Sequence, residues 1–327
     1  MRHEKLPEYL ECLLSSFARN CGWHTSSLNI HEQGFLNYAE NRLAWGRFEE
    51  QATRVIYGSS VIDKMGVNIE YTRGLCRRIF RGADVNVPLA RRLQRGNAHA
   101  LAWAIDCLVL NGEWPLTNLM IRRIHCILYF GLGQWSGSRA SNIRIPEGVV
   151  PGEFRTQVVR TRIVDLRSGE QRTVQLVSPR AVPEYMMLWI ELMNKDRVRI
   201  KPYKAARAVG DPMPIPFDPY ECAAKHYHRF VNIHPFSDGG GRISRIILNC
   251  LVLMFADHLM PIGDREGEEE HYLHLATKAS FCFYRTGRFK WDEDEDKELV
   301  HREMALFMLA KAPRLEGARF TAKIHVR

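Results

Sequence analysis

Between His234 and Arg245 the chain places a histidine, an aspartate, three consecutive glycines and two arginines within twelve positions. Gly239, Gly240 and Gly241 leave backbone N–H groups free to curl around an anion, and a helix that begins there aims its positive end at the same point. Asp238 is a hard oxygen donor, suited to Mg²⁺ with phosphate oxygens and waters in the remaining positions. Arg242 and Arg245, three apart, share one helix face and can pair with phosphate oxygens. His234 can accept a hydroxyl proton near neutral pH. A base, a metal ligand, oxyanion support and charge neutralisation are what phosphoryl or nucleotidyl transfer requires. Taken singly, each residue also fits a glycine-rich turn with a capping aspartate. Their combination in one loop points to a nucleotide phosphate.

The elements that must position this loop are mostly helical. Apolar residues recur at mixed three and four spacing over 5–19, 31–57, 70–81 and 85–111, and Pro115-Leu116-Thr117 opens a further helix from Asn118 to Leu132. Residues 133–152 are rich in Gly, Ser and Pro and read as a loop. The pattern then changes to period two: Thr161 to Leu166 and Arg172 to Val177 flank Arg167-Ser168-Gly169-Glu170, which predicts a hairpin. Pro183 introduces a helix through Met193, and prolines 212, 214, 216 and 219 break the chain before a helix to Asn232. After the glycines, Ile246 to Phe255 is apolar nearly all round, which places that helix at the centre of a bundle. A helical tail from 271 to about 311 is interrupted by an acidic run, Asp292 to Asp296. The expected fold is mainly α with one small hairpin.

Length and composition bound the function classes. A chain of 327 residues, 46% hydrophobic and 25% charged, suits an ordinary globular protein with a real core. A formal charge of +9 favours acidic partners, but the basic residues are scattered in pairs such as Arg77-Arg78 and Arg122-Arg123. No tract of interleaved aromatic and basic residues suggests a nucleic-acid channel. The eight cysteines form no Cys-x-x-Cys pair, so a structural zinc site is not expected, and Cys107, Cys126 and Cys250 read as small core residues. The first residues lack a secretory apolar region, and no run reaches the roughly eighteen apolar residues of a membrane span. The expected setting is reducing, cytoplasmic or nuclear.

The order of residues from His234 to Arg245 resembles the core motif of the Fic (Fido) family, His-Pro-Phe-x-Asp/Glu-Gly-Asn-Gly-Arg-x-x-Arg. It matches at every fixed position but one, Gly240, where the family has Asn. Ala223-Ala224 and Phe230-Val231-Asn232-Ile233 resemble the helix that leads into that motif, and residues 154–177 lie where the family places a β-hairpin flap. The resemblance implies a Fic-type helical bundle, with an N-terminal helical region over 1–92, a catalytic domain over 93–285 and a helical extension over 286–327. It further implies Mg²⁺-dependent transfer of AMP from ATP to a Ser, Thr or Tyr hydroxyl of a target protein docked on the flap.

Carried over by position, His234 would be the base, Asp238 the metal ligand, Gly239 to Gly241 the anion cradle, and Arg242 and Arg245 the triphosphate ligands. Phe236 would anchor the loop. Members that phosphorylate carry Lys where Gly241 stands, so Gly241 implies AMP transfer. Tyr272 falls near the position of a tyrosine that contacts adenine or ribose; it also reads as an ordinary packing residue. Gly240 cannot supply the side-chain hydrogen bond of the family's Asn. Losing one such contact costs about 1.5–3 kcal/mol, roughly tenfold to a few hundredfold in turnover. The expectation is an impaired or specialised enzyme. The alternatives are a degenerate member that binds nucleotide or a partner, and an enzyme that removes AMP.

Upstream, Ser59-Ser60-Val61-Ile62-Asp63-Lys64 has the spacing of the family's inhibitory Ser/Thr-x-x-x-Glu-Gly/Asn, with Asp for Glu and Lys for Gly/Asn. By that resemblance Asp63 would pair with Arg245; the competing reading is a solvated Asp63–Lys64 surface pair. The acidic clusters at 268–270 and 292–296 read as solvated helix starts, and His226 and His228 as packing or surface residues.

Overall fold

The computed structural model describes residues 42–312 except 67, 82–84, 89–90, 111–114, 130–131, 133–148, 165–170, 200–217, 257 and 285–294. The helix expected over 5–19, the start of that over 31–57, the loop through 148, the turn Arg167–Glu170, prolines 212, 214 and 216, and residues 292–294 of the acidic run lie outside the described residues. The described helices are α1 Arg42–Ile62, α2 Ile69–Ile79, α3 Arg92–Ala104, α4 Asn118–Leu128, α5 Val182–Val198, α6 Pro219–Ile233, α7 Gly240–Ala256, α8 Glu268–Tyr284 and α9 Glu295–Lys311. β1 Arg160–Val164 and β2 Gln171–Gln175 form an antiparallel hairpin, with Arg162 opposite Thr173 and Ile163 opposite Arg172. The fold is mainly helical with one two-stranded hairpin among the described residues.

Local chemistry explains the helix starts. Asn68, Thr117 and Asp218 each adopt an extended backbone and accept a hydrogen bond from an N–H in the first turn of α2, α4 and α6. Pro219 follows Asp218 at the first helical position, where its missing N–H costs nothing. The helix expected over 85–111 is shorter at its start. Residues 85–88 are non-helical and α3 begins at Arg92, because Pro88 disfavours helix in the residue before it. α3 then widens into a π-helical segment, Ile105–Leu110.

α7 is the central helix, buried from Arg242 to Phe255. It packs along α6, which also carries α9 and α5 on its other sides. One continuous core joins Phe48 and Ile56 of α1, Leu101 of α3, Ile121 of α4, Phe230 of α6, Leu248 of α7 and Met304 of α9. Ile163 and Leu176 of the hairpin form a second cluster with Phe283 and Tyr284 of α8. Cys76, Cys107, Cys126, Cys222 and Cys250 are free thiols, and no described helix is long and apolar enough to cross a membrane.

α1 is seated against the loop after α7 at very close range. A Cβ on Gly58 would lie 2.1 Å from the Ile262 carbonyl oxygen and 2.9 Å from the Asp264 nitrogen. Around this approach, Arg54 pairs with Asp264 at 2.6 Å and Gln51 accepts the Leu259 N–H at 3.0 Å. Lys311 of α9 holds the same Asp264 at 2.9 Å. Gly58→Ala is therefore expected to push α1 outward and destabilise the fold by about 1–3 kcal/mol, the usual cost of overpacking. A thermal melt checks this; an unchanged midpoint contradicts it.

Three buried histidines and the half-buried His234 make the fold acid-labile. Burial lowers the pKa of His125 to about 4, of His228 to about 3, of His234 to about 4 and of His301 to about 2. His228 and His301 face each other across α6 and α9 with their Nδ1 atoms 3.0 Å apart. Each ring is neutral when folded, while an unfolded histidine takes a proton below about pH 6.5. Their stabilising effect is thus complete above pH 6.5 and is lost as pH falls toward the folded values. At pH 5 the loss is about 2 kcal/mol for each histidine. Depressed carboxyls such as Asp238 and Asp196 act only at lower pH. Melting temperature should fall steeply from pH 7 to 5; a flat profile there contradicts the buried neutral rings.

Candidate active site

His234 ends α6 in a left-handed conformation, φ 50° and ψ 62°, and turns the chain into the glycine loop. Its N–H donates to the Phe230 carbonyl at 3.1 Å, closing the helix. Its carbonyl accepts from Nε of Arg155 at 2.6 Å. Arg155 is buried beneath the loop, where it also donates to the carbonyls of Gln157, Val177 and Ile233, while its N–H donates to the Pro235 carbonyl at 2.9 Å. One side chain thus ties the end of α6 to both ends of the flap. The nearby Arg155 charge also contributes, after burial, to lowering the His234 pKa. His234 is therefore a neutral imidazole throughout the physiological range.

Phe236 is fully buried and stacks on the His125 ring at 4.0 Å with an interplanar angle of 6°. The Gly152 N–H donates to Nδ1 of His125 at 2.8 Å, so the proton sits on Nε2 and is donated to the Asp238 carbonyl at 3.1 Å. One turn along α4, the Tyr129 hydroxyl donates to Oδ2 of Asp238, which also receives Nη2 of Arg242 at 2.8 Å. Burial alone would raise the Asp238 carboxyl; Arg242, the Tyr129 hydroxyl and the Gly239 N–H outweigh it and hold the pKa below the usual value. Asp238 is an ionised carboxylate whose side chain is still 41% exposed. It therefore has the charge and access that a Mg²⁺ ligand needs.

Gly239 precedes α7 at φ 76°, with a Cβ position 2.9 Å from Leu128 and 3.1 Å from the Tyr129 ring, so glycine is required there on both counts. Gly240 is open: a Cβ would meet only Nδ1 of His234, at 3.9 Å. Gly241 is exposed in the first turn, where a Cβ would stand 3.3 Å from Nη1 of Arg245. The first N–H groups of α7 have no partner within the helix, and the helix dipole places its positive end at this loop.

Arg242 and Arg245 are each 5% exposed. Arg242 lies over the Tyr129 ring at 5.3 Å, and its Nη1 is buried with no hydrogen-bond partner. Arg245 donates from Nε to the Ser59 hydroxyl at 3.0 Å and from Nη2 to Oδ1 of Asp63 at 2.8 Å. Oδ2 of Asp63 reaches Nε of Arg242 at 3.3 Å. The carboxylate from the end of α1 bridges both arginines and does not form the Asp63–Lys64 surface pair. Burial opposes the charge on Arg245, but Asp63, with the hydroxyls of Tyr272 and Tyr227, raises its pKa above the ordinary value. Lys64 adopts φ 54° at the position where the resemblance expects Gly or Asn, which explains that preference: the helix ends there in a left-handed turn.

Tyr272 is buried at 2% exposure, its hydroxyl bonded to Tyr227 beside Arg245, so it forms part of the floor under the arginines. His226 and His228 are buried packing residues on α6. His125, Tyr129 and Arg155 are the site residues that sequence reasoning missed. The first two stand four apart on α4 and so share a face, a readable signal. Arg155 has none, because its partners are main-chain carbonyls distant in sequence.

Residues 115–252 match the Fic/DOC family, and this span contains α4, the hairpin, α6, the loop and most of α7. The chain carries a Fic/DOC-family domain. Among known proteins, the Fic domain is similar to the protein adenylyltransferase Fic of Aedes aegypti, 41% identical over 59 residues, 18% of this chain and 12% of that protein. It is also similar to the protein adenylyltransferase fic-1 of Caenorhabditis elegans, 35% identical over 72 residues, 21% of this chain and 14% of the relative. A Fido domain-containing protein of Dictyostelium discoideum is 38% identical over 71 residues, 21% of this chain and 47% of that protein. The matches thus span less than half the length of these relatives. A solved Fic domain-containing signalling protein from Bacteroides thetaiotaomicron shares the fold, with TM-score 0.53 and 17% identity over 79% of this chain and 83% of that one.

Proposed function

We propose that this protein transfers AMP from ATP to a hydroxyl of a target protein. The observation that carries the reading is the buried Arg242, whose Nη1 has no partner although it lies at the start of a helix beside an ionised, accessible Asp238. An unpaired guanidinium nitrogen in that position is costly unless an anion comes to it. Mg²⁺ held by Asp238 would neutralise charge on the α- and β-phosphates.

The residues take the following parts. The α7 N-terminus and Arg242 hold phosphate oxygens, and Arg245 holds the far end of the triphosphate. His234, neutral above about pH 4, takes the proton from the incoming hydroxyl. The hydroxyl oxygen then bonds to the α-phosphorus as the bond to pyrophosphate breaks. Phe236, His125 and Arg155 keep the loop in place. In the described conformation Asp63 and Ser59 occupy Arg245, and Asp63 also contacts Arg242. We read this as a closed state in which the end of α1 competes with the triphosphate. Transfer of label from the α-phosphate of ATP, and not from the γ-phosphate, tests the reaction class; γ-label on the protein would identify phosphorylation instead.

A further inference from the structure

The last turn of α5 and the first two turns of α6 bring together a group of side chains that the transfer reading does not use. Cys222 and His226 stand four apart on α6, so they share one face, and that face meets Asp196 of α5. Nε2 of His226 lies 2.9 Å from Oδ2 of Asp196, and Sγ of Cys222 lies 3.8 Å from the same oxygen. The three ligand atoms are all within 4.8 Å of one another. Arg199 holds the other carboxylate oxygen, Oδ1, at 3.3 Å, which leaves Oδ2 turned to the sulfur and the imidazole. The His226 carbonyl accepts the Trp189 indole N–H at 3.0 Å, which fixes this turn of α6 against α5. The Asp196 side chain is 25% exposed and His226 is fully buried, so the group opens to solvent on the carboxylate side.

We propose that Asp196, Cys222 and His226 bind Zn²⁺ and clamp α5 to α6. Ligand atoms around a tetrahedral zinc stand roughly 3.3–3.5 Å apart. Nε2 must therefore move away from Oδ2, and Sγ toward it, by only a few tenths of an ångström. A thiolate beside an imidazole selects a soft or borderline ion over Mg²⁺ or Ca²⁺. Binding releases the Cys222 thiol proton to solvent, and His226 changes tautomer, exchanging the proton on Nε2 for one on Nδ1. Nδ1 is buried with no hydrogen-bond partner, so the change breaks no bond there. Thiolate and carboxylate together neutralise the ion, among the positive charges of Arg199, Lys225 and Arg229. Water fills the fourth position from the exposed side. One cysteine, one histidine and one carboxylate on two helices leave no Cys-x-x-Cys signature, which is why spacing in the sequence does not reveal the site. The inference stands independently of AMP transfer.

The test starts from the full chain freed of metal with EDTA and returned to buffer containing Mg²⁺. Wild type is expected to take up one equivalent of Zn²⁺ per chain and to melt at a higher temperature when it does. Co²⁺ in place of Zn²⁺ should give a thiolate-to-metal charge-transfer absorption that one equivalent of Zn²⁺ abolishes. Cys222→Ser should lose that absorption together with the zinc-dependent rise in melting temperature. Asp196→Asn keeps an acceptor for His226 and should weaken Zn²⁺ by more than the roughly 10–100-fold that loss of an outer-shell partner costs. Absence of the thiolate absorption in wild type overturns the proposal, including the case in which the metal binds at Asp238 instead. Absorption that survives Cys222→Ser, or equal zinc affinity in Asp196→Asn, overturns it as well. The wild-type spectrum decides by itself, whatever a variant does to folding.

Discussion

Asp63→Asn is expected to bind Mg·ATP about tenfold more tightly than wild type, because one carboxylate now holds two buried guanidiniums. The triphosphate must displace both contacts, at 2.8 Å to Arg245 and 3.3 Å to Arg242. Asparagine keeps the shape of the side chain and removes its charge. The same change leaves two arginines, each 5% exposed, without their shared counter-charge. The variant should therefore be less stable in plain buffer, by about 3–5 kcal/mol for a buried pair stripped of one partner. The Asp63 side chain is 26% exposed, so the lower end applies. Added Mg·ATP or pyrophosphate should restore its melting temperature by more than it raises that of wild type. Calorimetric titration and thermal melts check both halves. Unchanged ATP affinity and unchanged melting would mean that the end of α1 does not compete with nucleotide.

Gly240→Asn is expected to raise label transfer by roughly tenfold to a few hundredfold, the equivalent of one restored charge-assisted hydrogen bond. The backbone at 240 does not lie in the left-handed region, and the nearest atom to a new Cβ is Nδ1 of His234 at 3.9 Å. The side chain therefore enters open space beside the base without strain. By contrast, a side chain at Gly239 would strike Leu128 and Tyr129, so the two neighbouring glycines have different reasons for being there. Rates measured at saturating Mg·ATP separate the two variants: Asp63→Asn acts mainly on affinity, Gly240→Asn on turnover. No gain from Asn at 240 would show that the α7 N–H groups and arginines already supply all the phosphate support this site uses.

Much of this arrangement is legible in the order of the amino acids. The all-round apolar run Ile246–Phe255 marks the central helix, and it is buried throughout. Asp218-Pro219 marks the start of α6, and period-two alternation marks the hairpin. The spacing from Ser59 to Asp63 marks the residues that meet Arg245. The contact of Asp63 with Arg242 is not legible, because it depends on how closely α1 approaches the loop at 262–264, which Gly58 sets through tertiary packing. The late start of α3 at Arg92 follows from Pro88 overriding an otherwise helical pattern. Arg155 is invisible for a different reason: it binds main-chain oxygens, and these leave no trace in side-chain types. His125 and Tyr129 are hidden among the apolar residues of α4 although their spacing places them on one face.

The most direct test of the central claim is transfer of label from the α-phosphate of ATP in the Asp63→Asn/Gly240→Asn protein, with and without His234→Ala. The double variant removes the carboxylate from the arginines and adds the missing amide, so it is the most permissive form of the site. Covalent label on protein in the double variant, about 10²–10⁴-fold weaker when His234 is also replaced, is the predicted result. Label that is absent in the double variant, or that persists undiminished without His234, would contradict AMP transfer by this loop.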